Sequence, residues 1–309
     1  PAYYQRQRLE LDRVPLPDAG PRQVLLDLLA SPNIASKESV HRQYDNQVQT
    51  NTVVGPGSDA AVLRIKGATP GATAKGMALT IDGNSRYCYL DPYRGGQIVV
   101  AEACRNLSCV GAAPLALTDC LNFGNPENPE VYYQLEWCVR GMAKACRVLN
   151  VPVVSGNVSL YNEAQGQGIF PTPVVGGLGL LQDVETHCRS GFQGEGLVVV
   201  MVGVDRLGAK ASDLAGSEYL RLCHDTLAGR PFIDLGLEKR VQELCRVLIE
   251  QGVIASAHDC SEGGLAAALA ECCIQGNVGF SSQVNLPRRW DVALFGERQS
   301  RIVVSLPRE

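Results

Sequence analysis

Short apolar segments alternate with longer amphipathic segments along most of this chain of 309 residues. Val151–Val154 and Pro173–Gln182 have the length and the β-branched or glycine-rich composition of strands. Pro129–Leu149 and Leu237–Gln251 instead repeat their apolar residues at helical spacing. Since strands that alternate with helices form a sheet on which the helices pack, the sequence predicts an α/β (α+β) fold.

Further elements follow from the same patterns. Helices are predicted at Pro21–Leu29, Ser36–Asp45 with Ser36 as its cap, Gly95–Val110 and Gly263–Ile274. Strands are predicted at Ala60–Ile65, Gly76–Ile81, Pro114–Asp119, Gly196–Val202, Ile254–His258 and Arg301–Leu306, with Gly67–Lys75 as a hairpin connection.

The polar segment Asp183–Glu195 contains two glycines and separates two groups of these elements. We therefore predict an N-terminal domain over residues 1–183, which includes a polar lead-in, and a C-terminal α/β domain over residues 184–309. A chain with 45% hydrophobic residues is long enough to bury two ordinary cores. Because the chain starts without Met and ends on a strand-like run, we expect both ends to be cut and the C-terminal domain to be truncated.

Charge and cysteine content restrict the class of protein. The formal net charge is −4 and no basic stripe stands out, so nucleic acid is not an expected partner. No apolar run is long enough to span a membrane, and Pro1–Arg13 is too polar for a secretory signal. The 12 cysteines form no C-x-x-C pair. We expect reduced thiols, many of them buried, in a cytoplasmic protein.

Two polar segments beside predicted strands are candidate phosphate or metal sites. Gly55–Asp59 precedes a strand, and its glycines would allow close approach of phosphate while Asp59 held a divalent cation. An ordinary turn is the favoured interpretation of that segment alone. Arg86 and Arg94 could bind phosphate next to a helix N-terminus. The alternative is a loop with a solvated salt bridge and Asp91 as a helix cap.

Two further polar segments follow predicted strands directly. Asp119 ends one strand, where it could hold Mg²⁺ or a ribose or amine group, or else form a turn. In Ser155–Glu163, Gly156 would let the backbone reach phosphates, and Ser159 could donate to a substrate phosphate or hydroxyl group. Mg²⁺ accepts amide and carboxylate oxygens of the kind found here. The density of polar groups favours a functional site over a simple turn in this second segment.

His258 stands before a polar loop and a glycine pair, a position that suggests a general base. The sequence shows no evident Ser or Cys partner for a catalytic triad with it. We therefore favour a structural loop histidine, or one on a loop that closes over a neighbouring site.

Five segments taken in order resemble the phosphoribosylformylglycinamidine synthase family, in its small bacterial or archaeal type. They are Ser31–Ser36, Tyr44–Thr52, Asp82–Gly96, Ala116–Pro126 and Val153–Glu163, and the similarity runs from about Leu29 to the end. The resemblance implies a tandem duplicated architecture in which each half is similar to aminoimidazole ribonucleotide synthetase. Each half then has a barrel-forming N-terminal domain, which pairs into a shared barrel, and an α/β C-terminal domain. This chain would be the second half.

The resemblance also implies a ligase reaction of purine biosynthesis. ATP phosphorylates the formamide oxygen of formylglycinamide ribonucleotide, and ammonia displaces the phosphate to give the amidine. A separate glutaminase subunit supplies the ammonia, and a small accessory subunit joins the complex. The implied cofactors are ATP and Mg²⁺. By residue, Asp119 and Gly156 match ATP-binding positions, Asn157 matches a Mg²⁺ ligand, and Ser159 matches a substrate-binding position.

One departure from the family is chemically important. The family's catalytic histidine lies in a His-Asn-His-Pro segment of the first half, whereas this chain has Asn84–Tyr87 at the equivalent place. Neither Asn nor Arg can act as a base near neutral pH. No catalytic residue is therefore expected here, and the chain alone should be inactive. It needs the first half as a partner, and we expect a homodimer if it is made alone.

Two alternatives remain open. One is a structural half with at most a tightly held auxiliary nucleotide. The other is a self-sufficient relative similar to the thiamine monophosphate or selenide kinases, which carry a Gly-Asp-Asp loop where this chain has Ser58 and Asp59.

Overall fold

A computed structural model describes residues 10–67, 73–203 and 210–308. Its larger sheet has six strands in the order β1-β2-β3-β8-β4-β5. Neighbouring strands are antiparallel except β4 and β5, which are parallel. The strands are β1 (Thr52–Val54), β2 (Ala61–Arg64), β3 (Gly76–Asp82), β4 (Ala113–Asn122), β5 (Val153–Ser159) and β8 (Thr172–Leu181), and a small hairpin of β6 (Glu163–Ala164) and β7 (Gln167–Gly168) precedes β8.

Two long helices, α4 (Pro92–Cys109) and α5 (Pro129–Leu149), follow α1 (Pro21–Leu29), α2 (Glu38–His41) and α3 (Ser85–Leu90). Each long helix has Pro at its first position and a polar cap before it. The two helices lie very close together. A Cβ atom on Gly96 would lie 2.3 Å from a backbone oxygen of Cys138, and one on Gly141 would lie 2.1 Å from that of Tyr93. Only glycine fits at these two contacts.

The two faces of the larger sheet differ. Alternate side chains such as Ala78 and Val175 are fully buried on the helix side. On the opposite side, which we call the outer face, Leu79 is 44% exposed and Ile81 is 78% exposed. The described residues contain no closed barrel, and this outer face is apolar and uncovered.

The second unit contains a three-stranded antiparallel sheet in the order β10-β11-β9. Its strands are β9 (Val198–Val202), β10 (Ser256–Asp259) and β11 (Ile302–Leu306), and its helices are α6 (Glu218–His224), α7 (Leu235–Glu250), α8 (Gly264–Gly276) and α9 (Trp290–Phe295). Helix α1 packs through Val24 and Leu28 against Leu214 and Phe295 of this unit. The division at residue 183 stays a prediction.

The predicted helices Pro21–Leu29 and Pro129–Leu149 are confirmed with those bounds. The helix expected at Ser36–Asp45 is much shorter, although the Ser36 hydroxyl accepts a hydrogen bond from the amide of Glu38 at 3.2 Å. Strand β9 begins two residues later than expected. The connection predicted at Gly67–Lys75 falls partly outside the described residues.

All 12 cysteines are free thiols, and most of them are buried, as expected. Among the described helices, none combines the length and the hydropathy needed to cross a bilayer.

Candidate functional site

Strands β4 and β5 bring the four predicted ligand-binding residues together. Asp119 pairs with Gly156, Cys120 with Asn157, and Asn122 with Ser159. The prediction that strands end at Asp119 and at Val154 is wrong, because β4 continues to Asn122 and β5 to Ser159. The polar residues after Val154 can continue the strand because β5 is an edge strand, whose side chains can stay exposed.

The pairing places these residues on opposite faces of the sheet. A Cβ atom on Gly156 would lie 2.1 Å from Oδ1 of Asp119, so this glycine and the carboxylate share the helix side. One residue further along the strand, Asn157 points to the outer face. Ser159 is on the outer face as well, two residues beyond Asn157. The edge of β5 therefore carries predicted site residues on both the helix side and the outer face of the sheet.

A cavity of about 710 Å³ opens beside Asp119 on the helix side. Its walls include Leu121, Met142, Cys146, Arg147 and Val153. The volume is typical of a small-molecule site, with apolar walls and a few polar groups. Partial burial raises the pKa of Asp119. The carboxylate can accept hydrogen bonds from ligand hydroxyl or amine groups there.

On the outer face, the amide of Asn162 holds Ser159. Nδ2 of Asn162 donates to Oγ of Ser159 at 3.1 Å and to its backbone oxygen at 2.9 Å. Asn157 is exposed, and its amide oxygen is available to a cation. In the described part of the chain, no three His, Cys, Asp or Glu side chains converge on a metal position. Asn157 could thus supply one Mg²⁺ ligand, with phosphates and water as the others.

The segment Asn84–Tyr87 forms hydrogen bonds and an ion pair with the second unit. Asn84 is 5% exposed, accepts from the amide of Tyr87 at 3.0 Å and donates to Glu262 at 3.0 Å. Nη1 of Arg86 lies 2.6 Å from Glu218, in an ion pair with little exposure. The alternative interpretation of this segment, a solvated salt bridge, is therefore wrong for Arg86. Asp91 does cap α4, accepting from the amide of Arg94 at 3.0 Å.

Glu218 also binds the turn that follows α1. Its carboxylate accepts hydrogen bonds from Ser31 and, at 2.9 Å, from Asn33. Burial by itself would raise the pKa of this carboxyl, but bonds from Arg221, Ser31 and Asn33 outweigh it and lower the pKa to about 2. The charged form is therefore strongly stabilised in the folded chain.

We expect Glu218→Gln to lower the free energy of unfolding by about 2 kcal/mol at pH 7. Because the folded pKa lies below the unfolded value of 4.5, the stabilisation is present above pH 4.5 and lost as the pH falls towards 2. Urea unfolding of both chains at pH 7 and pH 3 measures this. A difference between the two chains that stayed the same at both pH values would contradict the assignment.

A group of buried and partly buried carboxyl groups was not predicted from the sequence as a site. Burial raises the pKa of Asp82 to about 7 and that of Glu262 to about 7. Asn106 donates to Asp82 at 2.7 Å, while Oδ1 of Asn106 and Oδ2 of Asp259 have no hydrogen-bond partner in the described structure. Glu102 lies one helical turn before Asn106 and is also buried. The i, i+4 spacing of Glu102 and Asn106 on one helix was the sequence pattern that could have indicated this cluster.

His258 is a buried residue of β10 and not the loop residue that was predicted. Its Nδ1 lies 2.8 Å from Asp59 and its Nε2 lies 3.2 Å from Glu271. Burial lowers the pKa of the ring, but these two carboxylates outweigh it and raise the pKa well above its usual range. A protonated, paired imidazole is a poor general base, so the structural role is supported. Asp59 is occupied by this ion pair.

Each of the two units matches a domain of a known protein family. The family described as AIR synthase related protein matches this chain with its N-terminal domain at residues 57–181 and its C-terminal domain at residues 194–309. A phosphoribosylformylglycinamidine synthase subunit PurL from Moorella thermoacetica is 54% identical over 100% of this chain and 41% of its own length. The one from Thermosynechococcus vestitus is 53% identical over 99% of this chain and 41% of its own length.

Solved structures of PurL proteins are also similar to this chain. Thermotoga maritima PurL complexed with ATP superposes with a TM-score of 0.61 and 28% identity, over 89% of this chain and 38% of that one. The PurLQS structure from the same organism has a TM-score of 0.61 with 29% identity, over 89% of this chain and 38% of that one. The chain spans about two fifths of the length of these relatives.

Proposed function

Since this chain belongs to the AIR synthase related family, we propose that it is the second half of a phosphoribosylformylglycinamidine synthase subunit. The complete enzyme would be a ligase of de novo purine biosynthesis in the cytoplasm. The γ-phosphoryl group of ATP passes to the amide oxygen of formylglycinamide ribonucleotide that is lost in the reaction, and ADP leaves. Ammonia then attacks the carbon that bears this phosphorylated oxygen, and inorganic phosphate leaves to give the amidine.

The observation that carries this proposal is the pairing of Asp119 with Gly156 at the edge of the larger sheet. Because Gly156 has no Cβ, the Asp119 carboxylate can lie against the backbone of β5, and the cavity that Asp119 lines has room for ATP. On the outer face, Ser159 donates to the substrate. Bound Mg²⁺, with Asn157 as one ligand, would neutralise charge on the phosphates.

The base for this chemistry comes from elsewhere. The Asn84 side chain is buried and bonded at both ends, and an amide has no basic nitrogen. Arg86 is held in its ion pair with Glu218. The histidine-bearing first half must therefore lie against this chain, and this chain alone is inactive.

The outer face is the surface for that contact. Its apolar side chains are exposed, as Ile81 is at 78%, and an apolar face of this kind is typical of a protein interface. We propose that the first half covers it and completes the shared barrel, and that a second copy covers it when this chain is made alone. A glutaminase subunit and a small accessory subunit complete the assembly, in line with the relative solved as PurLQS.

A second candidate function is a structural, auxiliary nucleotide site at the buried carboxyl groups. Asp82, Glu102 and Asp259 lie within electrostatic reach of one another, and one oxygen each of Asp259 and Asn106 is unpartnered. A cation bound with a nucleotide would satisfy these oxygens. The kinase-like alternative is disfavoured, because Asp59 is bonded to His258 and is not free for a metal.

Complementation tests the main proposal. We expect no amidine from this chain, or from the first half, when each is given formylglycinamide ribonucleotide, ATP, Mg²⁺ and ammonium. Together the two halves should form it. Ile81→Asp should weaken their association at least about tenfold, because it places a charge in an apolar contact.

Ile274→Asp is the matched control, since Ile274 is 69% exposed but lies on α8. Product formation by this chain alone would overturn the proposal. If Ile81→Asp and Ile274→Asp weakened the association equally, the outer face would not be the surface that contacts the first half. Light scattering of the isolated chain should show a dimer at micromolar concentration, and a stable monomer would contradict the pairing.

A further inference from the structure

A second cavity has a volume of about 430 Å³. It is lined by the first turn of α4, the turn Ala211–Leu214 and the loop that contains Phe232. Its lining side chains include Arg94, Lys210, Asp213, Arg230, Phe232 and Arg298. None of its residues lines the cavity beside Asp119.

The charge of this cavity is opposite to that of the chain. Four of its lining residues are cationic and one is a carboxylate, whereas the whole chain has a net charge of −4. Arg298 lies 3.9 Å from Asp213, a long ion pair that leaves most of its N–H donors free. Lys210 is exposed, and its positive charge favours the charged form of Asp213. A concentration of cations around a concave surface attracts anions.

The positions of the other two arginines are already determined by the protein. Nε of Arg230 lies 2.8 Å from Asp91, and Nη1 of Arg94 donates to the backbone oxygen of Ile233 at 3.2 Å. Each still has guanidinium N–H groups that these bonds do not use, and the bonds reduce the entropy lost on binding. The cavity therefore presents oriented donors and not only mobile surface charge.

An aromatic ring lies in the same cavity. Phe232 is 62% exposed, although most phenylalanines are buried. The guanidinium carbon of Arg94 lies 5.3 Å from the ring centroid and fixes the ring by a cation–π contact. An exposed aromatic ring beside several cations is a surface on which a flat ligand ring can stack while its anionic group is neutralised.

We propose that this cavity binds a nucleotide, or a similar phosphorylated ring compound, at a site separate from the β4–β5 edge. Lys210 and Arg298 hold the phosphate, Arg94 and Arg230 add charge, and the ring of the ligand stacks on Phe232. The volume is within the range of small-ligand pockets. This site does not depend on the proposed synthase activity.

Acetylation footprinting tests the proposal at one identified atom. In the Asp119→Ala chain, AMP should slow acetylation of Lys210 several-fold and leave the exposed Lys66 unchanged. Inorganic phosphate should protect Lys210 less than AMP does, because it has no ring to stack. Equal acetylation of Lys210 with and without AMP would overturn the proposal, whatever AMP does at the β4–β5 site.

Two variants test the roles of charge and ring. Arg298→Gln should weaken protection by both AMP and phosphate about tenfold in concentration, since one charged contact is lost. Phe232→Ser should reduce protection by AMP to the level of phosphate. Lys66→Glu is the control for overall charge and should change neither. If protection by AMP survives both pocket variants, or if AMP and phosphate protect equally in the unaltered pocket, the assignment of a ring-bearing ligand is wrong.

Discussion

Gly156→Ala should lower kcat/KM of a synthase subunit that contains both halves by about 100-fold. The new Cβ would lie 2.1 Å from Oδ1 of Asp119 and 2.8 Å from its backbone oxygen, so either the carboxylate or the edge strand must move. The proposed ATP contact uses both groups. Steady-state kinetics and calorimetric titration with ATP and Mg²⁺ should show the loss mainly as weaker nucleotide binding.

Gly168→Ala provides the control for this substitution. A Cβ there would make only an ordinary contact, 3.6 Å from Gly124, and Gly168 is exposed in the neighbouring hairpin. We expect its kinetics to match the unaltered subunit. Normal ATP affinity in Gly156→Ala would show that nucleotide does not bind beside Asp119.

Arg105→Met should lower the free energy of unfolding by about 3–5 kcal/mol, a large fraction of the stability of an ordinary domain. Arg105 is fully buried on α4, where it donates to Asp259 and makes two bonds of 2.9 Å to Glu238. Removing the guanidinium leaves two buried carboxylates without their cation. Urea unfolding at pH 7, followed by circular dichroism, measures the loss.

Arg140→Met removes an arginine from an exposed ion pair and serves as the comparison. Arg140 lies 2.6 Å from Glu136, but its side chain is 58% exposed. Arg140→Met should therefore lower the free energy of unfolding by no more than about 0.5 kcal/mol. Similar destabilisation by both substitutions would mean that the buried network contributes no more than a surface pair. Arg105→Met should also loosen the contact between the two units, since Arg105 and Asp259 belong to different ones.

Elements with strong local signals were predictable from the sequence. Helix α5 begins after the cap Asn128 with Pro129 in its first turn, and it ends at Leu149, before the C-terminal cap Asn150, whose φ is 57°. Capping and helical periodicity act within a few residues, so they can be recognised without tertiary structure. The bounds of β4 and β5 were not predictable in the same way. Polar residues on the edge strand β5 resemble those of a turn, and the polar end of β4 is extended by pairing with that strand.

The sequence by itself determined the α/β class, most helices and strands, and the resemblance that singles out Asp119, Gly156, Asn157 and Ser159. Only the tertiary structure decided that β4 pairs with β5, and that this pairing places the first two residues on one face and the last two on the other. It alone joined Arg105 to Asp259, 154 residues away, and Asp59 to His258, 199 residues away. Local patterns follow from backbone geometry over a few residues, whereas such pairings depend on how distant segments pack to bury apolar surface and satisfy buried charge.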